Sequence, residues 1–258
     1  MIEPFASPWG SRVEVFDELP STSRYLLERA RQQAPAGLVA VAEKQTSGYG
    51  RRGRQWHSPA GLNLYFSVLL RPELDFEQVP QLSLVAAAAL WRALAGEGIA
   101  ELTIKWPNDL YLKGRKLAGI IAEMRPGKRG PEFVVLGIGL NVNIPADAFP
   151  PELRPLATSL LAACGRRFDR GRLLAAILEQ LAACERIFRR SGLAGELAGL
   201  INDNFLLAGR EVVLVSGRER ISGRARGIDD RGRLLLTLPD GRQTALAAGE
   251  ARLEKPGL

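Results

Sequence analysis

"TSGYGRRGRQWHSPAGLNLYFSV", Thr46 to Val68, holds two kinds of text. Its first half laces Gly48, Tyr49, Gly50 and Gly53 among Arg51, Arg52 and Arg54, and ends at Trp56. In its second half Leu62, Leu64, Phe66, Val68 and Leu70 alternate with Asn63, Tyr65, Ser67 and Leu69, the period of two expected of a strand. The pattern GxxxxGK[ST] is absent, and a GxGxxG fingerprint would open a helix, whereas this segment opens a strand. Glycines allow positive φ and close backbone approach, and arginines make charge-assisted bonds to phosphate or carboxylate. Interleaved, their backbone N–H and guanidinium groups can converge on one anion.

Outward from this stretch, residues 12–19 read as a strand and 20–33 as a helix. Ser21 or Thr22 caps the helix by accepting a free N–H of its first turn. Residues 37–45 form a short apolar strand that leads into the loop. Residues 76–98 predict a long buried helix ended by glycines, and 102–106 a strand. Residues 109–124 predict a hairpin with its turn at Lys113 to Arg115, and 133–143 another strand. Helices are expected over 153–163, 169–190 and 193–204. From Gly209 the text changes to short strands at 211–217, 220–230, 233–238 and 243–249, with "PDG" (239–241) as a hairpin turn. The fold class is α+β: a mixed sheet with helices on one side over residues 1–207, and a small all-β barrel over 208–258.

Composition bounds the function. The chain has 258 residues, 46% hydrophobic and 24% charged, ordinary values for a globular protein. Cys164 and Cys184 have no CxxC spacing and read as small apolar residues of helices in a reducing cytosol. The N-terminus has no secretory signal pattern. The apolar run from Leu82 to Trp91 is about half of the roughly 20 residues a membrane span needs, so no membrane partner is expected. A net charge of +7 attracts polyanions without specifying any. His57 is the only histidine, which excludes a multi-histidine metal site.

Two further clusters stand out. In "KWPNDLYLKGRKLAGIIAE" (105–123) a strand ends at Lys105 and Trp106, Pro107 forces a turn, and Asn108 and Asp109 place polar heads at the strand end. Lys116, beside the apolar "LAGII", calls for an anionic partner if partly buried. In "GIGLNVN" (137–143), Asn141 and Asn143 end a strand and can present amides to a ligand.

These stretches, with "STS" (21–23), occur in the same order as in bacterial biotin–protein ligases, which the chain resembles from about Glu14 to Asn143. The C-terminal barrel is similar to that family's small SH3-like domain. The resemblance implies a class II synthetase-like mixed sheet flanked by helices, of the form without an N-terminal DNA-binding domain. It implies ATP and biotin as substrates with Mg2+, and formation of biotinyl-5′-AMP. Biotin then passes to a lysine of a biotin carboxyl carrier protein domain of a carboxylase. The implied setting is cytoplasmic, with no sequence-specific DNA partner. An exposed sheet edge leaves a homodimer open.

By position the resemblance implies roles for single residues. Ser21, Thr22, Ser23 and Gln45 would meet the ureido ring of biotin, with Tyr49 and Gly50 supplying backbone beside it. Lys116 would bind the biotin carboxylate, Arg51 would retain the adenylate, and Lys105 would face phosphate. Gly48, Arg54, Trp56 and Asn141 would belong to the nucleotide end, and Asn108 and Asp109 would hold ribose, the loop or, for Asp109, Mg2+ through the phosphates. Ser23 stands where the family usually has Asn, and Tyr49 replaces a frequent arginine. A lipoate ligase or octanoyltransferase on a similar fold is the nearest rival, and a basic nucleic-acid-binding protein the rival of another class.

Overall fold

Ser21 ends one strand and begins a helix. Its backbone is extended (φ −164°, ψ 134°) and its side chain accepts from Arg24 N at 3.5 Å. It thus separates β1 (Val13–Leu19) from α1 (Thr22–Arg31). The helix carries the chain back over the sheet, so β2 (Val39–Gln45) lies parallel to β1. The computed structural model describes residues 2–216 and 219–253.

The remaining elements of the large sheet are β3 (Leu64–Leu70), β4 (Leu102–Lys105), β5 (Asp109–Leu112), β6 (Arg115–Pro126) and β7 (Pro131–Leu140). The order β1-β2-β3-β7-β6-β5-β4 makes seven strands, antiparallel beyond the first pair. Helices cover both faces rather than one. Leu26 and Ala30 of α1 pack on Ala40, Leu69, Phe133 and Val135. On the other face α2 (Gln81–Gly96), α4 (Arg170–Ser191) and α5 (Glu196–Asp203) bury Phe66, Val68, Leu136 and Ile138. Hence β3 is buried along both sides, and its alternation sorts residues between two cores rather than between core and water.

Residues 76–96 have the length and composition of a membrane-crossing segment, but two thirds of the most apolar window (67%) is buried inside the chain's own core. Leu82 to Leu90 of α2, apolar but for Ser83, are all buried. The helix expected over 153–163 is shorter: 151–156 form turns, and α3 spans Leu160–Cys164 with Ser159 accepting from Ala162 N at 2.9 Å. Cys184 is buried as expected, whereas Cys164 is exposed at the helix end.

The C-terminal strands β8 (Glu211–Ser216), β9 (Glu219–Ile228), β10 (Leu234–Thr237) and β11 (Gln243–Leu246) form a meander, and β12 (Glu250–Leu253) returns to pair with β8. Among the described residues no pairing joins β11 to β12, so the expected barrel is an open five-stranded antiparallel sheet. It shares one continuous core with the large sheet through Val212, Leu214, Ala225 and Ile228. Trp106 Nε1 also donates to Gly232 O at 2.9 Å.

A buried ion pair fixes the strand that follows the arginine loop. Arg170, in the first turn of α4, donates to Glu43 Oε2 at 2.7 Å, to Oε1 at 3.2 Å, and to Asn63 O at 3.2 Å. Asn63 Oδ1 accepts from Val142 N, and Tyr65 Oη donates to Pro59 O. Replacing Arg170 by Ala would leave the Glu43 carboxylate buried and unpaired, at a cost of about 3–5 kcal/mol. We expect a lower urea midpoint with an unchanged slope; a midpoint equal to that of the parent would show that the pair contributes nothing.

Candidate active site

Cross-strand partners share one face of a sheet, and the register here gathers a particular set on the α1 face. Gly119 lies opposite Gly139, and Ile121 opposite Gly137. Tyr65 and Ser67 face the same two glycines from β3. Asp109 faces Gly119, and Lys105 faces Asp109. α1 begins at Thr22 and covers only the Leu69–Val135 end of this face. Beyond it, over the glycines, lies a cavity of about 610 Å3.

An uninterrupted strand would put Leu117, not Lys116, on the face of Gly119. The ladder slips between Leu110 and Tyr111: Leu110 pairs with Ala118 but Tyr111 with Lys116. The extra residue, Leu117, is fully buried in the opposite core, and Lys116 is delivered to the cavity. A β-bulge re-aims a side chain in this way. Lys116 Nζ stands 2.7 Å from Asp109 Oδ1 and 5.5 Å from the centroid of the Trp56 ring. The Trp56 ring rests on the glycine floor, since a Cβ at Gly139 would come within 2.5 Å of it.

One end of the cavity is a cluster of hydroxyls. Thr22 N donates to Gln45 Oε1 at 2.9 Å, and Ser67 Oγ lies 2.8 Å from Thr22 Oγ1 and 3.0 Å from Ser23 Oγ. A Cβ at Gly137 would collide with Ser23 Oγ. Ser67 escaped the sequence reading because it looks like any polar residue of an alternating strand; only the register puts it beneath the Ser21–Ser23 turn.

The arginine loop is an ordered ribbon. Trp56 N donates to Gly48 O at 2.9 Å, Tyr49 pairs with Gln55, and Gly50 N donates to Arg54 O at 2.7 Å. The tip, Arg51–Gly53, is a 3₁₀ turn closed by left-handed residues, Arg52 at φ 60° and Gly53 at φ 71°. Arg51 donates to Asn108 Oδ1 at 3.1 Å and to Gly249 O at 3.4 Å. Arg52 and Arg54 pair with Glu250 Oε2 at 3.0 and 2.6 Å. Partial burial disfavours ionisation of Glu250, yet hydrogen bonds from Arg54 and Arg252 outweigh it and hold the carboxyl at about 2. Neither Glu250 nor its strand was expected from sequence; nothing in "GEARL" marks it, and its partners lie some 200 residues away.

Several expected residues have other duties. Asn108 Nδ2 donates to Ile120 O at 2.6 Å while its oxygen takes Arg51, so it braces the loop. Asn143 bonds Phe168 through both amide atoms, a structural role. Asn141 donates to Thr158 O from the cavity wall. Gly48 does not line the cavity; it makes room beneath the loop, since a Cβ there would come within 2.8 Å of Gln45 Nε2 and Ser58 Oγ. Arg54, Trp56, Lys105 and Gly50 all line it.

Burial presses the Lys105 ammonium below its usual range, with Asp109 opposing and Lys116 reinforcing that shift. Burial, then the Asp109 charge, pushes the Tyr111 phenol up to about 12. Among the described residues no group of three His, Cys, Asp or Glu side chains could enclose a metal. Asp109 Oδ1, however, is buried and, apart from the Lys116 ammonium 2.7 Å away, has no hydrogen-bond partner among the described residues. One carboxylate oxygen in that state fits a Mg2+ ion whose other ligands are phosphates and water.

The model of the biotin/lipoate A/B protein ligase family matches residues 15–141, and that of the biotin protein ligase C-terminal domain matches 208–253. The chain is 37% identical over 245 residues to a biotin–[acetyl-CoA-carboxylase] ligase of Mycobacterium tuberculosis, covering 93% of this chain and 88% of the relative. It is 38% identical over 228 residues to the bifunctional ligase/repressor BirA of Escherichia coli, 88% of this chain and 70% of that one. A biotin protein ligase from Aquifex aeolicus, solved in complex with biotin and ATP, superposes with a TM-score of 0.83 at 32% identity over 94% of this chain and 98% of that one. Fold and relatives agree: the chain belongs to the biotin/lipoate A/B protein ligase family and carries the biotin protein ligase C-terminal domain.

Proposed function

We propose that the chain is an ATP-dependent biotin–protein ligase that makes biotinyl-5′-AMP and transfers biotin to a lysine of a carboxylase's biotin carboxyl carrier domain. The observation that carries this reading is the bulge-directed Lys116 ammonium, set over a glycine floor between a hydroxyl cluster and an arginine loop. Such a floor leaves room for a compact bicyclic ring, the hydroxyls and Gln45 answer a urea group, and the cations answer a carboxylate and phosphates.

In the first step a biotin carboxylate oxygen attacks the α-phosphorus of ATP, forming an acyl–phosphate bond as pyrophosphate leaves. Lys116 holds the carboxylate, so two anions meet beside a fixed positive charge rather than in water. Lys105 faces the phosphates. Arg51 and Arg54 close over the product and keep water from the anhydride. Asp109 is the residue to hold Mg2+, which when bound supplies further neutralisation of phosphate charge. In the second step the carrier lysine amine attacks the acyl carbon, AMP departs, and the amine loses its proton. The wall at Ser21, Thr22, Ser23, Gln45, Tyr49 and Gly50 holds the ring meanwhile, and Trp56 and Asn141 flank the nucleotide end.

This reading places the protein in the cytoplasm, with a carrier domain as partner and neither a membrane nor sequence-specific DNA. We draw the boundary between catalytic and C-terminal domains at 207/208, which the match beginning at residue 208 supports. The outer edge of β1 beyond Val13 is where a second copy would pair, since residues 204–206 already bond Ile104 along the edge of β4.

Biotin-dependent exchange of pyrophosphate into ATP tests the assignment. Lys116→Ala is expected to lower it by about 100-fold or more, the usual effect of removing a fixed donor from a charge-forming site. Exchange with lipoate and not biotin would replace the reading; tight RNA or DNA binding at physiological salt without exchange would end it. For Arg51→Gln we expect faster escape of pre-formed adenylate, seen as quicker loss of radiolabelled AMP in a spin column, and unchanged retention would remove Arg51 from the role given to it.

A further inference from the structure

The arginine loop is tied down at two places of unlike chemistry. At the tip, the ties are hydrogen bonds from Arg51 to Asn108 and Gly249, and ion pairs from the exposed Arg52 and Arg54 to Glu250. Exposed pairs of this kind are weak and exchangeable, so a phosphate-bearing ligand can compete for the same guanidinium groups. At the base the tie is Tyr49. Its hydroxyl donates to Glu123 Oε2 at 2.8 Å, and the Arg24 guanidinium lies 5.2 Å from its ring centroid.

The two partners come from opposite walls. Glu123 is on β6, two residues beyond Ile121 on the same face, opposite Val135. Arg24 is in the first turn of α1, next to Ser23. Tyr49 therefore bridges from the helix N-terminus to the sheet across the hydroxyl end of the cavity, which it also lines. Burial, reinforced by the hydrogen bond and charge of Glu123, raises the phenol above its ordinary range, so the hydroxyl keeps its proton at working pH.

We propose that Tyr49 is a positioning residue: the fixed pivot of the arginine loop, anchored by Glu123 and Arg24, about which the tip exchanges Glu250 for the ligand's phosphates. Tyr49 stands where the resembled family frequently has arginine; the loop thereby has one cation fewer and one anchor more. The anchor is made by the chain's own residues, so closing the loop orders fewer residues and the hydroxyl end keeps its wall. The effect on biotin rests on the ligase reading, whereas the effect on the loop does not.

Trypsin digestion of the ligand-free full chain reads the loop directly, because Arg51, Arg52 and Arg54 are its cleavage sites. Tyr49→Phe removes only the hydroxyl, and Glu123→Leu removes its acceptor. Both are expected to raise cleavage at these sites about fivefold, as a locally opened segment does. Glu123→Gln keeps an acceptor and should stay within about twofold of the parent. Urea midpoints of all three are measured alongside, so that a general loss of stability is distinguished from a local one. Parental cleavage of Tyr49→Phe, or equal effects of Glu123→Gln and Glu123→Leu, would overturn the proposal. The same Tyr49→Phe protein should show a KM for biotin raised about fivefold in pyrophosphate exchange, the counterpart of a less pre-organised site. If the cleavage pattern holds while biotin supports no exchange, the pivot stands and the ligase reading fails.

Discussion

The active face depends on one irregular pairing, the bulge at Leu117 where β6 meets β5. Period-two geometry sends neighbours to opposite faces, so in a regular register Leu117 would share the cavity face of Gly119 while Lys116 and Ala118 faced the core. The extra residue breaks that rule once. Leu117 goes to the core between the sheet and α2, and Lys116 goes to the cavity. The proposed site is arranged around that ammonium: Asp109 Oδ1 stands 2.7 Å from it, the lysine side chain lies against Gly119, and the Trp56 ring centroid is 5.5 Å away.

The bare patch of sheet is the second constraint. α1 covers the Leu69–Val135 end of the face because its apolar stripe matches it, and stops at Ser21 because that side chain caps its first turn. Past that point Gly119, Gly137 and Gly139 leave room above the sheet, part of which the Trp56 ring, Lys116 and Ser23 Oγ take up. The same glycines weaken the strands that carry them. The antiparallel ladder of β3, β7 and β6, covered on its other side by the α2 core, compensates. The C-terminal sheet completes the site from outside by offering Glu250 and the Gly249 carbonyl to the loop tip.

Much of this was legible in the sequence where the signal is local. The Ser21 cap, the hairpin around Lys113–Arg115 and the strand after Trp56 need only neighbouring residues to be read. The family resemblance supplied the order of the motifs and pointed to Lys116 and Arg51, both of which line the cavity. What escaped depends on pairing. Helices on both faces follow from which strands are central, the bulge from the register of β5 on β6, and Ser67 from the strands beside it. Glu250 was illegible because the strand carrying it is four residues long and meets its arginines only after the whole chain has folded. Asn143 misled because an amide at a strand end binds a backbone as readily as a ligand.

The central claim is that the glycine-floored face is where biotin lies. Calorimetric titration of biotin into Gly139→Ala tests it most directly, since the added methyl enters the space above the floor, where the Trp56ring now rests, and leaves the core face untouched. The account predicts biotin affinity reduced about tenfold or more, with thermal stability close to that of the parent. Parental affinity in a folded Gly139→Ala protein would contradict it.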